Sequence, residues 1–334
     1  MLGGFLALLS AATFAFNNAS LRRGVLTGSV AQAMAITVPI GVPIFLLTAA
    51  ATGSLGAVTG FSPNAWLALT SAGIVHFIWG RYCNYRATRA IGANLAAPVQ
   101  QTNLIIALVL AIWILGETLT PLRVLGIGLI LLGPYYALRE KNKKTTPASS
   151  EAAGRATIKT EPAAFQPRYA EGIVFSLLSA TGYGVSPILV RIGLEGKGLG
   201  VSLAGGLIAY AAATVVMALF LLWPGQWRHA ISVKPESAKW FTLSGVMVCI
   251  SQMFLFMAMS IAPVTVVSPI NRLSVMFRLY FSRLINPHHE VFGGKIILGT
   301  VISLLGAVAL SLSTEIATSM APAALLPILH WRWP

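Results

Sequence analysis

Aspartate is missing from this sequence, and its nine acidic residues are all glutamates. Charged residues make up only 10% of the chain, and the two cysteines, Cys83 and Cys249, both fall inside long apolar runs. These shortages exclude an aspartate dyad for acid and base catalysis, and they exclude a disulfide framework. The Walker-type glycine loop, G-x-S-x-G and H-E-x-x-H are missing as well. We therefore expect no enzyme activity, no cofactor and no metal site.

Apolar residues, in contrast, are abundant. They make up 56% of the 334 residues, and the mean hydropathy is +0.77, which is too high for a protein whose surface faces water. Ten stretches come near or exceed the roughly 20 residues that cross a bilayer. They are residues 2–20, 29–52, 64–85, 93–115, 119–138, 170–190, 201–223, 240–260, 264–285 and 294–313. The composition thus predicts an all-α polytopic membrane protein with ten transmembrane helices.

The first stretch could be mistaken for a cleaved signal peptide. It lacks a basic N-terminal region, however, and it carries Asn17 and Asn18 near its end. Its sequence also recurs later in the chain, so we interpret it as the first transmembrane helix.

Residues 140–167 differ from everything around them. They are polar, charged and rich in Ala, Thr and Pro, so they cannot bury a core and should form a flexible basic linker. The linker separates residues 1–139 from residues 168–314, and each of these halves is predicted to hold five helices. Residues 315–334 form an apolar and aromatic tail that suits a membrane interface.

The two halves repeat each other along the sequence. Leu8-Leu9-Ser10-Ala11 recurs at residues 177–180, an offset of 169 that also matches Arg22 with Arg191. Later matches, at offsets of 171 and then 173, pair Pro98 with Pro269, Glu117 with Glu290, Gly126 with Gly299 and Gly133 with Gly306. Because five is an odd number, the second copy should enter the membrane from the opposite side. The resulting inverted repeat is typical of secondary transporters.

Three longer stretches carry a resemblance to a known family. They are RYCNYRATRAIGANLAAPVQ (81–100), LGETLTPLRVLGIGLILLG (115–133) and its weaker echo HHEVFGGKIILGTVISLLG (288–306). Together with the layout of five plus five helices, they resemble the EamA-type members of the drug/metabolite transporter superfamily over nearly the whole chain, apart from the linker and the tail. The resemblance implies a secondary exporter or exchanger of small polar metabolites. It also implies a central cavity lined by the first four helices of each repeat, with the fifth as scaffold.

Pro98 and Pro269 occupy equivalent places about five residues into their apolar spans. Proline removes a backbone hydrogen bond and opens the helix locally, which lipid does not tolerate but a cavity does. We predict that these prolines are helix breaks, or hinges, beside a substrate site. The alternative is a plain proline kink between packed helices.

Polar residues inside the predicted helices supply a candidate substrate-binding site. They are Asn17, His76, Arg81, Gln100, Gln101, Asn103, Gln252, Asn271 and Arg272. A buried guanidinium stays charged and matches a carboxylate or a phosphate. Since cations outnumber anions within the spans, we expect a small polar, anionic substrate. For Arg81 the alternative is capping near a helix end, and for His76 the alternatives are proton coupling and ordinary packing.

The net charge of +14 does not call for nucleic acid as a partner. Outside the helix interiors, sixteen Lys and Arg residues lie in one set of alternating loops and four in the other. By the positive-inside rule, this bias places both termini outside and the linker in the cytoplasm, and the expected location is a bacterial inner membrane. The EamA-like resemblance implies cytoplasmic termini instead, and we follow the charges.

The sequence as a whole predicts a secondary active transporter, an exporter or exchanger that works by alternating access. Its rivals are a flippase of a phosphate-bearing lipid, an amino-acid exporter and a non-transporting membrane partner subunit. The expected partners are the polar or anionic substrate and membrane lipids, and a homodimer stays open.

Overall fold

A computed structural model describes residues 2–115, 120–139, 166–194, 199–261 and 270–311. The secondary structure in these five ranges is entirely helical, with no strand. The all-α part of the predicted fold class is therefore confirmed. Most of the linker, the tail, Glu117 and Pro269 lie outside the described ranges, so the predictions for them stay predictions.

The described residues of the first half form a series of helices. They are α1 Leu2–Gly24, α2 Val30–Thr37, α3 Gly41–Ala51, α4 Pro63–Gly73, a π-helix Ile74–Gly80, α5 Arg81–Gln100, α6 Asn103–Leu115 and α7 Pro121–Leu138. A 3₁₀-helix, Leu55–Gly60, precedes α4.

The second half follows the same pattern. Its helices are α8 Tyr169–Leu194, α9 Leu199–Leu221, α10 Gln226–Ile231, α11 Pro235–Ile261, α12 Ser274–Ile285 and α13 Gly294–Ser311. We call the face formed by the C-terminal ends of α1, α7 and α12 and the N-terminal end of α8 the linker face, because the linker joins α7 to α8.

Local sequence explains several of these helix boundaries. Ser29 forms a capping box with Gln32 at the start of α2, and Thr120 caps the Arg123 amide with Pro121 in the first helical position of α7. Pro39 stands in the break between α2 and α3, where its ring and missing N–H do not allow one continuous helix.

Seven helical runs in the described part of the chain are long and apolar enough to cross a membrane. They are Leu2–Gly24, Val30–Ala51, Pro63–Leu110, Pro121–Leu138, Tyr169–Leu194, Val201–Leu221 and Pro235–Leu255, and the shorter Gly294–Ala309 is also apolar. The 48-residue run is not one rod, because Gly92 has a φ of +83° and divides α5. A side chain at Gly92 would be strained and would collide with Glu290.

Helices of the two halves pack against each other in a repeating scheme. Helix α1 packs on α11 and α12, while α8 packs on α4, α5 and α6. One pair of hydrogen bonds makes the correspondence specific: Ser10 Oγ donates to the Ser251 carbonyl (2.9 Å), and Ser179 Oγ donates to the Gly80 carbonyl (3.0 Å). Donors and acceptors are offset by 169 and 171 positions, as in the sequence repeat.

Two further helix pairs, α7 with α13 and α3 with α9, join each element to its own repeat mate. On α7 and α13, Gly133 and Gly299 let the two backbones touch, since a Cβ on either glycine would collide with the opposite helix. The largest cluster of buried apolar residues surrounds Phe45, Tyr85, Tyr210 and Phe241, and it joins the two halves.

Candidate functional site

Arg81 lies at the junction of the π-helix and α5, in the middle of the protein interior. Its side chain is only 3% exposed. Nη1 donates to the Thr37 carbonyl (3.0 Å), Nη2 donates to the Tyr210 hydroxyl (3.1 Å), and the guanidinium lies 4.8 Å from the centre of the Phe77 ring. The Thr37 carbonyl is available because α2 ends there, at the break before Pro39. Arg81 is thus fully embedded, with neutral groups as partners.

A second layer of polar groups extends this cluster toward α1. The Tyr85 hydroxyl donates to Thr37 Oγ1 (2.9 Å), and Ser244 Oγ donates to Asn17 Oδ1 (2.6 Å). Sequence reasoning found Asn17 and missed Thr37, Tyr85, Tyr210 and Ser244. The signal that could have identified these residues is a polar side chain in the middle of an apolar run.

His76 lies on the π-helix, half-buried between aromatic rings. Its Nδ1 is 2.7 Å from Ser186 Oγ, and its ring centre is 4.6 Å from that of Tyr183 and 4.8 Å from that of Phe77. π-helical turns are rare, and they occur frequently at functional sites. The π-helix contains His76, and Arg81 follows it directly as the first residue of α5. The rare helix type therefore supports a functional site at this segment.

Gln100 is part of a buried chain of amides and a guanidinium. Its Nε2 donates to Asn84 Oδ1 (2.6 Å), and its Oε1 accepts from Arg278 Nη1 (3.4 Å). Arg278 also reaches the Ala93 carbonyl (3.5 Å), and its Nε is buried without a hydrogen-bond partner. Arg278 is not among the candidate residues predicted from the sequence.

The helix containing Pro98 is interrupted shortly after the proline. Gln101 and Thr102 donate their amides to the carbonyls three residues earlier, those of Pro98 (3.2 Å) and Val99 (3.2 Å). Leu104 and Ile105 make the same tighter bonds, and α6 begins only at Asn103. Such a 3₁₀ stretch inside a helix is typical of a hinge.

Of the buried polar atoms that lack a hydrogen-bond partner in the described ranges, three lie at this interruption or on Arg272. Gln101 Nε2, Asn103 Oδ1 and Arg272 Nε are all buried without a hydrogen-bond partner. Such atoms are rare in folded proteins, and each one calls for an explanation. Unlike Arg81, Arg272 forms no hydrogen bond or ion pair with any residue in the described ranges.

The remaining predicted residues lie on α11 and beside α12. Asn271 Nδ2 donates to Ser10 Oγ (3.0 Å), next to the contact between Ser10 and Ser251, and Gln252 is half-buried on α11. Within the described ranges, no two of the nine predicted residues hydrogen-bond to each other. Each one instead bonds to a polar neighbour that the sequence analysis did not select, or to none.

A buried ion pair lies at the linker face. Arg22 Nε is 3.5 Å from Glu290 Oε1, and both side chains are buried. Burial raises the pKa of the Glu290 carboxyl, while Arg22 and the amides of Ala93 and Asn94 oppose that shift. Burial and the nearby Arg23 and Arg22 lower the pKa of His289.

Comparison with known proteins identifies a family for this chain. The model of the EamA-like transporter family matches residues 1–139 and 170–312, which are the two repeats. No curated protein matches the chain. One similar solved structure, described only as "Crystal structure of protein", is 18% identical over 96% of this chain and 98% of its own, with a TM-score of 0.49. Because the family model covers most of the sequence, this chain is a member of the EamA-like transporter family.

Proposed function

We propose that this transporter is a secondary exporter or exchanger of a small polar, anionic metabolite. The observation that carries the proposal is the imbalance of charge in the interior. Arg81 and Arg272 form no ion pair within the described ranges, and the buried Glu290 already pairs with Arg22. Unpaired cations in a low-dielectric interior are costly, and a bound anion offsets that cost.

The anion contact is assigned to Arg272 and Gln101 rather than to Arg81. Arg81 donates to Thr37 and Tyr210, so its hydrogen-bonding capacity is largely used by the protein. Arg272 Nε and Gln101 Nε2 are unused donors. They are repeat mates at the offset of 171 that relates Pro98 to Pro269, which places one on each half of the protein.

Ten transmembrane helices in two inverted repeats form the framework of this mechanism. The division of Pro63–Leu110 at Gly92 supports this count, and so does the apolar α13. The matched bonds from Ser10 and Ser179 support the internal symmetry. With such symmetry, exchanging the conformations of the two halves converts access from one side into access from the other.

The hinge is assigned to Pro98 and the 3₁₀ stretch that follows it. Residues 90–101 are buried without exception, whereas residues 102–107 are all half-buried. The change occurs at the interruption between α5 and α6. Pro269 is the corresponding hinge of the second half.

For orientation, we propose a bacterial inner membrane with both termini outside and the linker in the cytoplasm. The bias of Lys and Arg toward the loops of the linker face supports this choice. A reporter that is active only in the cytoplasm, fused to the C-terminus, should give no signal, and a bright signal would reverse the orientation. Export of an anion then gains about 2.3 kcal/mol per charge for each 100 mV of a negative-inside potential. A homodimer stays a prediction.

The test is an untargeted comparison of anionic metabolites in the medium and in the cytoplasm of cells with the protein and without it. We expect one or a few carboxylates or phosphates to rise in the medium and fall in the cytoplasm when the protein is present. Cells that carry Arg272→Gln at an equal protein level serve as the matched control. If only cationic or neutral metabolites shift, the substrate is not an anion.

A further inference from the structure

The ion pair at the linker face is part of a larger set of contacts. Arg22, 1% exposed, donates from Nη1 to the carbonyls of Thr88 (2.9 Å) and Arg89 (3.2 Å) and from Nε to that of His289 (3.2 Å). It therefore ties the end of α1 to α5 and to the connection between α12 and α13.

Glu290 occupies the start of the helical segment that follows Gly92. Its Oε1 accepts the amide of Ala93 (2.6 Å), and its Oε2 accepts the amide of Asn94 (3.2 Å). The first amides of a helix have no intrahelical partner and favour an anion. The positive φ of Gly92 brings these amides to the carboxylate, and a Cβ there would occupy its place.

A second guanidinium completes the surroundings of this carboxylate. Arg278 is 4% exposed, contacts the Ala93 carbonyl (3.5 Å), and keeps an unpartnered, buried Nε. Apart from the carboxylate itself, the cluster consists of two guanidinium groups and two backbone amides. These are the groups with which proteins bind free carboxylates.

The cluster also closes the linker face in this conformation. Asn286 Nδ2 donates to the Ala19 carbonyl (2.9 Å), and Asn94 Nδ2 reaches the Val291 carbonyl (3.4 Å). Residues 17–22 of α1 and residues 90–101 are all buried, so these two segments are covered at this face within the described ranges.

We propose that Glu290 is an internal carboxylate plug, seated in an anion site made of Arg22, Arg278 and the amides of Ala93 and Asn94. The seated plug holds the linker face closed, and its displacement opens that face. Once Glu290 is removed, the site takes a small free carboxylate. The opening step rests on the proposed alternating access, whereas the binding of a carboxylate does not.

The binding is tested by chemical rescue of purified Glu290→Ala in detergent, with thermal unfolding as the readout. We expect a lower unfolding temperature than that of the parent protein, recovered in part by sodium formate but not by sodium chloride at equal ionic strength. Glu171→Ala is the matched control, because Glu171 pairs with Arg86 (2.7 Å) and Arg168 (3.2 Å) but remains partly exposed. It should gain nothing specific from formate. Equal effects of formate and chloride on Glu290→Ala would overturn the proposed anion site.

Glu290→Gln tests the plug if the alanine variant does not fold, because Gln keeps an acceptor oxygen for the Ala93 amide and loses the charge. The probe is Ala96→Cys, a fully buried position on the same segment, in a background without Cys83 and Cys249. A membrane-impermeant maleimide added on the linker side should label it several-fold faster in Glu290→Gln than with Glu290 present. Equal rates would refute the plug. Neither experiment measures transport, so failure here leaves the proposed function to be judged separately.

Discussion

Replacing Arg272 with Gln removes a positive charge from the proposed substrate site and keeps some hydrogen-bonding capacity. The buried Nε of Arg272 has no partner in the described part of the protein. The substitution therefore breaks no hydrogen bond or ion pair of Arg272 with a residue in the described ranges. Insertion should be intact or slightly improved, because burying a cation near the bilayer centre costs about 2.5–3.5 kcal/mol on insertion scales.

The loss should instead appear in substrate binding. A hydrogen bond to a charged group contributes about 1.5–3 kcal/mol. This corresponds to roughly ten- to over a hundredfold weaker affinity for the anion. Arg272→Lys should recover only part of the affinity, because an ammonium keeps the charge without the planar fork of donors.

Gln101→Leu is the matched control on the other half of the protein. It removes the unpartnered Nε2 of Gln101, so it should weaken binding by less than Arg272→Gln, through the loss of neutral hydrogen bonds alone. The assay is substrate binding and flux in reconstituted vesicles at equal protein content. Near-normal flux with Arg272→Gln would reduce Arg272 to a structural cation and refute the assignment of the anion contact.

Three further predictions concern the scaffold, the embedded arginine and the hinge. Gly133→Leu should destabilise the protein through overpacking by about 1–3 kcal/mol, which is measured as a lower unfolding temperature in detergent. Gly128→Leu on the same helix, where a Cβ meets open space, should leave the unfolding temperature unchanged. Tyr210→Phe should destabilise the protein by about 1–3 kcal/mol, because Arg81 loses a buried acceptor, and equal unfolding temperatures would contradict this. Pro98→Ala should stabilise the helix and slow flux without weakening equilibrium binding; unchanged flux would show that the proline is no hinge.

The length and position of the helices were predictable because apolar runs of membrane length have few other solutions. The ten predicted stretches and the observed helices agree closely for Leu2–Gly24, Pro121–Leu138 and Tyr169–Leu194. The division at Gly92 was harder to foresee. Its positive φ brings the next two amides to the Glu290 carboxylate, which is 198 positions away in the sequence.

The partners of the candidate residues could not be read from the sequence. Arg81 was selected as a polar residue in an apolar run, but its bond to Tyr210 depends on how α9 packs beside the π-helix. The Thr37 carbonyl accepts from Arg81 only because α2 stops there. The role of Pro98 as a helix break beside a substrate site stays a prediction, and it rests on the missing N–H of proline and on the 3₁₀ bonds that follow at Gln101 and Thr102.

The measurement that tests the proposed function most directly is trans-stimulated flux in vesicles that hold the purified protein and no ATP. The substrate is the anion found by the metabolite comparison, labelled on one side and unlabelled on the other. We predict that unlabelled anion on the far side accelerates movement of the label, because a carrier that alternates between two faces returns faster when loaded. Protein-dependent flux without acceleration would contradict alternating access, and no protein-dependent flux of any anion would contradict the proposed function itself.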